Sequence, residues 1–112
     1  MTATSNAAHD AADLRALMRP MLLIRAVETA WGDAYLNEEI TGIPPSLSTG
    51  QEAIAAGACA ALAHGDFVFT THRGQAAQVA RGLDPKRILG VAYQHHLCAV
   101  KKRALGGAGG HA

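Results

Sequence analysis

The chain has 112 residues, of which 49% are hydrophobic but only 4% aromatic, and its net charge is +1. That length allows one small domain, and the near-neutral charge gives no reason to expect a nucleic-acid partner. No stretch is long and apolar enough to cross a bilayer, and the start MTATSNAAHDAADLR lacks the apolar core of a signal peptide.

Residues 1–9 are small and polar and are expected to be disordered. Asp10 suits the cap of a first helix, in which Leu14, Leu17, Met18, Met21, Leu22 and Arg25 follow helical spacing. Pro20 interrupts that pattern; an interior proline costs about 3 kcal/mol and kinks a helix or begins a new one. The pattern resumes through Trp31 and Tyr35, which share a face and read as core packing. Gly42, Pro44 and Pro45 break the chain into a loop over 41–49. Asp84 and Pro85 read as a cap and first helical position, and Ile88, Leu89 and Ala92 follow on a last helix. The residues from Gly106 are rich in glycine and are expected to form a flexible tail. These signals predict a mainly α chain, with helices over 11–37, 50–63, 74–81 and 85–100 and one short strand over 67–70. Residues 10–105 make up the one domain between the two tails.

The stretch from Thr49 to Arg73 is the densest in signals. Thr49 and Glu52 have the spacing of a capping box. Alanines, Ile54 and Leu62 favour helix, and Gly65 suits a helix end. Phe67, Val68 and Phe69 form an apolar run of strand character. Arg73 then falls between a strand end and a helix start, where free N–H groups and a planar cation favour an anion such as phosphate. The alternative is that Arg73 pairs with a nearby carboxylate. His72 offers one hydrogen bond to the same anion, or is a surface or packing residue.

Other polar residues carry less. His95 and His96 are adjacent and point in different directions, unlike a metal-binding pair. His64 and the basic run Lys101, Lys102 and Arg103 read as favourable charge near helix C-termini. Cys59 and Cys98 are not spaced as a metal or redox motif, so reduced thiols in a cytoplasmic protein are expected. An alanine-rich core buries little area against the roughly 1–2 kcal/mol of entropy each ordered residue costs, so weak independent stability or reliance on a partner is expected.

Several motifs recur in a fixed order. Leu23, Ile24, Arg25 and Glu28 form LIR-x-x-E, and Gly50, Gln51, Glu52 and Ala53 form GQEA. Asp66, Val68 and Thr70 precede His72, Arg73, Gly74, Gln75 and Ala76; Arg81, Gly82, Asp84, Pro85, Lys86 and Leu89 form RG-x-D-P-K-x-x-L. From Leu14 to Leu89 the chain thereby resembles the N-terminal part of the alpha subunit of thiamine-diphosphate-dependent 2-oxoacid dehydrogenases, the pyruvate, branched-chain 2-oxoacid and acetoin types. The resemblance implies an N-terminal fragment of an α/β thiamine-diphosphate-binding fold. It also implies thiamine diphosphate and magnesium as cofactors, and a beta subunit as partner in an alpha/beta heterotetramer. In such enzymes the cofactor attacks the 2-oxo carbon and stabilises the carbanion left by loss of carbon dioxide. Arg73 and His72 are the cofactor contacts it implies here, and no catalytic residue is assigned. Gln51 and Glu52 match GQEA but read as structural.

The departures are specific. The family tyrosine before the arginine is His72, the family histidine two residues after it is Gln75, and a histidine of the pyruvate type is Ser46. Gly107 to Ala112 resembles a family glycine-rich loop without a fixed register. No GDG occurs, so the metal and diphosphate core is expected to be incomplete and the isolated chain inactive in decarboxylation, as a truncated product or with the remainder on another chain. The other reading is a non-catalytic helical interaction module derived from the same family.

Overall fold

A computed structural model describes residues 10–42 and 44–106. It contains four helices: α1 (Ala11–Leu36), α2 (Glu52–Ala60), α3 (Gln75–Ala80) and α4 (Pro85–Gly106). The expectations for residues 1–9 and 107–112 lie outside the described residues, as do those for the side chains of Lys102 and Arg103.

Local chemistry starts and stops these helices. Asp10 caps α1, its Oδ1 accepting the Asp13 N–H at 2.8 Å. The helix runs unbroken through Pro20 for 26 residues, so the proline does not divide it. It ends where Glu38 takes a left-handed φ of 60°, letting the Glu39 and Ile40 N–H groups fold back onto the Ala34 carbonyl at 2.9 and 3.2 Å. Gly82, at φ 93°, turns the chain after α3. Asp84 Oδ1 accepts the Lys86 N–H at 2.9 Å and starts α4, which runs past the expected end at 100 to Gly106.

α1 packs against α2 and α3 and touches α4. The main core joins Ile24 and Val27 of α1 to Ala76 and Val79 of α3 and Ile88 of α4. A second, smaller cluster holds Ala34, Ile40 and Ala92. Trp31 packs against both and ties them together, and Tyr35 supports the second, as their shared face predicts.

Three local expectations are replaced by tertiary contacts. No side chain caps α2; Glu52 instead pairs with Arg25, so the capping box does not form. Gly65 is not a left-handed helix terminator, because α2 already ends at Ala60 and Gly65 falls in a following turn. No strand forms among the described residues: 67–70 carries no regular structure, since a strand exists only by pairing and no neighbour is present. Phe67 and Phe69 are accordingly 89% and 96% exposed.

The Arg25–Glu52 pair links LIR-x-x-E to GQEA across the α1·α2 contact. The hydrogen bond from the Arg25 guanidinium is the largest of the effects that lower the Glu52 carboxyl from 4.5 to about 2. A carboxyl depressed on folding stabilises the fold fully above its unfolded value and loses that contribution as pH falls through the folded one. Acid destabilisation is therefore expected between about pH 4.5 and pH 2. Glu52→Gln should flatten the dependence of the thermal midpoint on pH in that window. Superimposable profiles for wild type and variant would remove the pair from the account.

Candidate functional site

The turn from Thr70 to Gly74 joins the apolar segment over 67–70 to α3. It is held at both ends. On its N-terminal side, the Arg81 guanidinium donates to the carbonyls of Ala63, His64 and Asp66 at 3.3, 3.1 and 3.0 Å. The Asp66 carboxylate accepts the Ala63 N–H at 2.8 Å. On its C-terminal side, buried Gly74 lies directly under Thr70. A Cβ there would overlap the Thr70 hydroxyl and come within 3.1 Å of Thr70 Cβ and 3.2 Å of the Thr71 carbonyl. Only glycine allows that approach. Between these anchors, Thr71 Oγ1 accepts the Arg73 N–H at 3.3 Å.

The loop facing this turn is fastened from below. Glu28 is 1% exposed, the only charged residue so deeply enclosed among those described. Its carboxylate accepts the Ser48 N–H at 3.2 Å on both oxygens, the Ser48 hydroxyl at 2.9 Å and the Thr49 hydroxyl at 3.5 Å. Glu28 thus fixes the end of the loop over 41–49. The loop's start is fixed by His96, whose Nδ1 accepts the Thr41 N–H at 2.9 Å. His95, its neighbour, points elsewhere and lines a cleft with Pro44, Pro45 and Ser46.

His72 and Arg73 line different clefts. Arg73 lines one of about 320 Å³ with Ser48, Gln51, Thr70 and Thr71. His72 lines two others on the Trp31 side, of about 470 and 250 Å³, with Gln75 on the wall of both. Both His72 and Arg73 are exposed. Among the described residues the only ion pair is Arg25–Glu52, so no described carboxylate pairs with Arg73. α3 has only six residues, too short to add much of a dipole, so the positive character here is carried by the guanidinium. No group of three or more metal-ligating side chains occurs among the described residues. Cys59 and Cys98 are both free thiols.

Sequence reasoning missed two of these features. Glu28 was legible only as a motif letter, although a glutamate on the apolar side of α1 signals a buried partner. The convergence of Ser46, Gln75 and His95 on one cleft comes from three distant segments and has no local signature.

The described residues thus form a mostly helical layer that presents an arginine turn beside a loop held by a buried glutamate. The dehydrogenase E1 component family matches residues 19–111, and the chain belongs to that family. It is 35% identical over 68 residues to the alpha subunit of acetoin:2,6-dichlorophenolindophenol oxidoreductase from Bacillus subtilis (strain 168), a match covering 61% of this chain and 20% of that protein. The chain thus spans about a fifth of the length of that relative. No solved structure matches it. Among the described residues, no helix is long and apolar enough to cross a membrane.

Proposed function

We propose that this chain forms one wall of the thiamine-diphosphate site in the alpha subunit of an E1-type dehydrogenase. The reaction is oxidative decarboxylation of a 2-oxoacid or cleavage of acetoin. The observation that carries this reading is the Arg73 turn. An exposed guanidinium, without a carboxylate partner among the described residues, stands with the Thr70, Thr71 and Gln51 side chains around one cleft. That donor set fits a diphosphate, whose oxygens accept from guanidinium and hydroxyl groups. It does not by itself fit a divalent cation, which takes carboxylate or carbonyl oxygens. Magnesium ligands are therefore proposed to come from beyond the matched region.

When bound, the cofactor supplies the electron sink for the carbanion chemistry. The residues here bind and orient. Arg73 holds a phosphate oxygen by a charge-assisted bond, and the Thr70–Gly74 packing fixes the backbone that aims it. His72, at the position of the family tyrosine, lines the clefts on the Trp31 side of the turn and is not part of this donor set. A beta subunit is the proposed partner, in an alpha/beta assembly located in the cytoplasm. Leu14, Met18 and Leu22, all more than half exposed at a spacing of four on α1, offer an apolar stripe for such a contact.

Joining this chain to the remaining portion of an alpha subunit, and adding a beta subunit, tests the reading. Thiamine-diphosphate-dependent reduction of 2,6-dichlorophenolindophenol is expected with acetoin or a 2-oxoacid. An assembly of the correct size that neither binds the cofactor nor turns over would refute it.

A further inference from the structure

The cleft of about 470 Å³ beside Trp31 holds two unmatched polar groups of opposite need. One is Gln75, whose Oε1 is buried and has no hydrogen-bond partner among the described residues. Buried side-chain oxygens are normally paired, so the lost solvation of this one stays uncompensated until a donor reaches it. The other is Arg87, near the start of α4, which is exposed and has no carboxylate partner among the described residues. Trp31, Leu83 and Val91 add apolar surface to the same cleft, and no described residue lining it is Asp or Glu. A matching ligand therefore carries an anion for Arg87, a donor for Gln75 and a short apolar chain. The donor has to be neutral, because an ammonium would give up water near a guanidinium and meet no carboxylate.

We propose that this cleft binds a short-chain hydroxy acid as a ligand that is not turned over. Its carboxylate sits on Arg87, its hydroxyl donates to Gln75 Oε1, and its alkyl chain lies against Trp31, Leu83 and Val91. The corresponding 2-oxoacid fits less well, since a keto oxygen only accepts and leaves the buried Gln75 oxygen unpaired. A neutral hydroxyketone supplies the donor but brings no anion to Arg87. The site thus favours neither class of substrate proposed above, and it stands without the thiamine-diphosphate reading. Its position still gives it a bearing on that reading. Thr70, Thr71 and Gly74 line both this cleft and that of Arg73, so a bound hydroxy acid touches the arginine turn from its Trp31 side.

Trp31 is the chain's only tryptophan, so its fluorescence reports on the cleft. The full chain, without thiamine diphosphate, is titrated with acids of one carbon skeleton: 2-hydroxy-3-methylbutanoate, 3-methyl-2-oxobutanoate, 3-methylbutanoate and valine. The hydroxy acid should bind saturably, and each of the others about threefold to tenfold more weakly, the worth of one neutral hydrogen bond. In Gln75→Leu the hydroxy acid should fall to the affinity of 3-methylbutanoate. Arg87→Gln should weaken these two acids alike and leave the ratio between them. Equal or tighter binding of any of the other acids to the wild type overturns the proposal, and that comparison needs no variant. So does a hydroxy-acid preference that persists in a folded Gln75→Leu chain, unchanged affinity in Arg87→Gln, or the absence of a saturable signal. Because no cofactor is present, failure here leaves the Arg73 reading intact, and loss of cofactor binding in Arg73→Ala leaves this result unaffected.

Discussion

Glu28→Ala should be the most damaging single substitution in the α1–loop region. Removing the carboxylate strands the Ser48 N–H and hydroxyl, which it accepts at 3.2 and 2.9 Å, in a place only 8% exposed. Each buried donor left unpaired costs about 1–3 kcal/mol, so a loss of about 2–4 kcal/mol is expected. In a small domain with a core of few buried side chains, that is a large part of the total. Urea unfolding followed by helical circular dichroism should show a much lower midpoint. Glu28→Gln, which still offers one carbonyl oxygen to Ser48, should lose less, about 1 kcal/mol. Equal midpoints for wild type and Glu28→Ala would mean that the loop over 41–49 is not held by this carboxylate.

The second large effect concerns the proposed cofactor contact. In an assembly with the remainder of the alpha subunit and a beta subunit, Arg73→Ala should weaken thiamine diphosphate. A charge-assisted hydrogen bond contributes about 1.5–3 kcal/mol, which corresponds to roughly 10-fold to 150-fold in affinity. Arg73→Lys should recover part of this, because charge remains while the planar fork is lost. Folding should change little, since Arg73 is exposed and outside both core clusters. Calorimetric titration of the cofactor decides it: equal affinity in Arg73→Ala would make Arg73 structural.

How much of this was legible in the sequence depends on the range of the forces involved. The Asp10 cap and the Asp84–Pro85 start are local events, set by residues within a turn of one another, and they fall where spacing places them. Trp31 and Tyr35 pack as their shared face predicts. Thr49 and Glu52 fail as a capping box because Arg25, 27 positions away, competes for the same carboxylate and wins. The run over 67–70 has strand composition, but composition cannot supply a neighbouring strand. The candidate site divides the same way. Its arginine turn was readable as a string, but the parting of His72 and Arg73 into separate clefts, and the meeting of Gln75 with His95, depend on how α1, α3 and α4 come together.

The Arg81 clamp has a consequence for association. One guanidinium gathers three carbonyls at the head of the 67–70 segment, while Thr70 lies close against Gly74 at its foot. The two exposed phenylalanines between these anchors ride on a short span tethered at both ends. A free loop surrenders much of its conformational entropy when another surface closes over it, and a tethered one has less left to surrender. Any partner that covers Phe67 and Phe69 therefore keeps more of the favourable free energy of burying two aromatic rings, because much of the ordering cost has already been met within this chain when it folded.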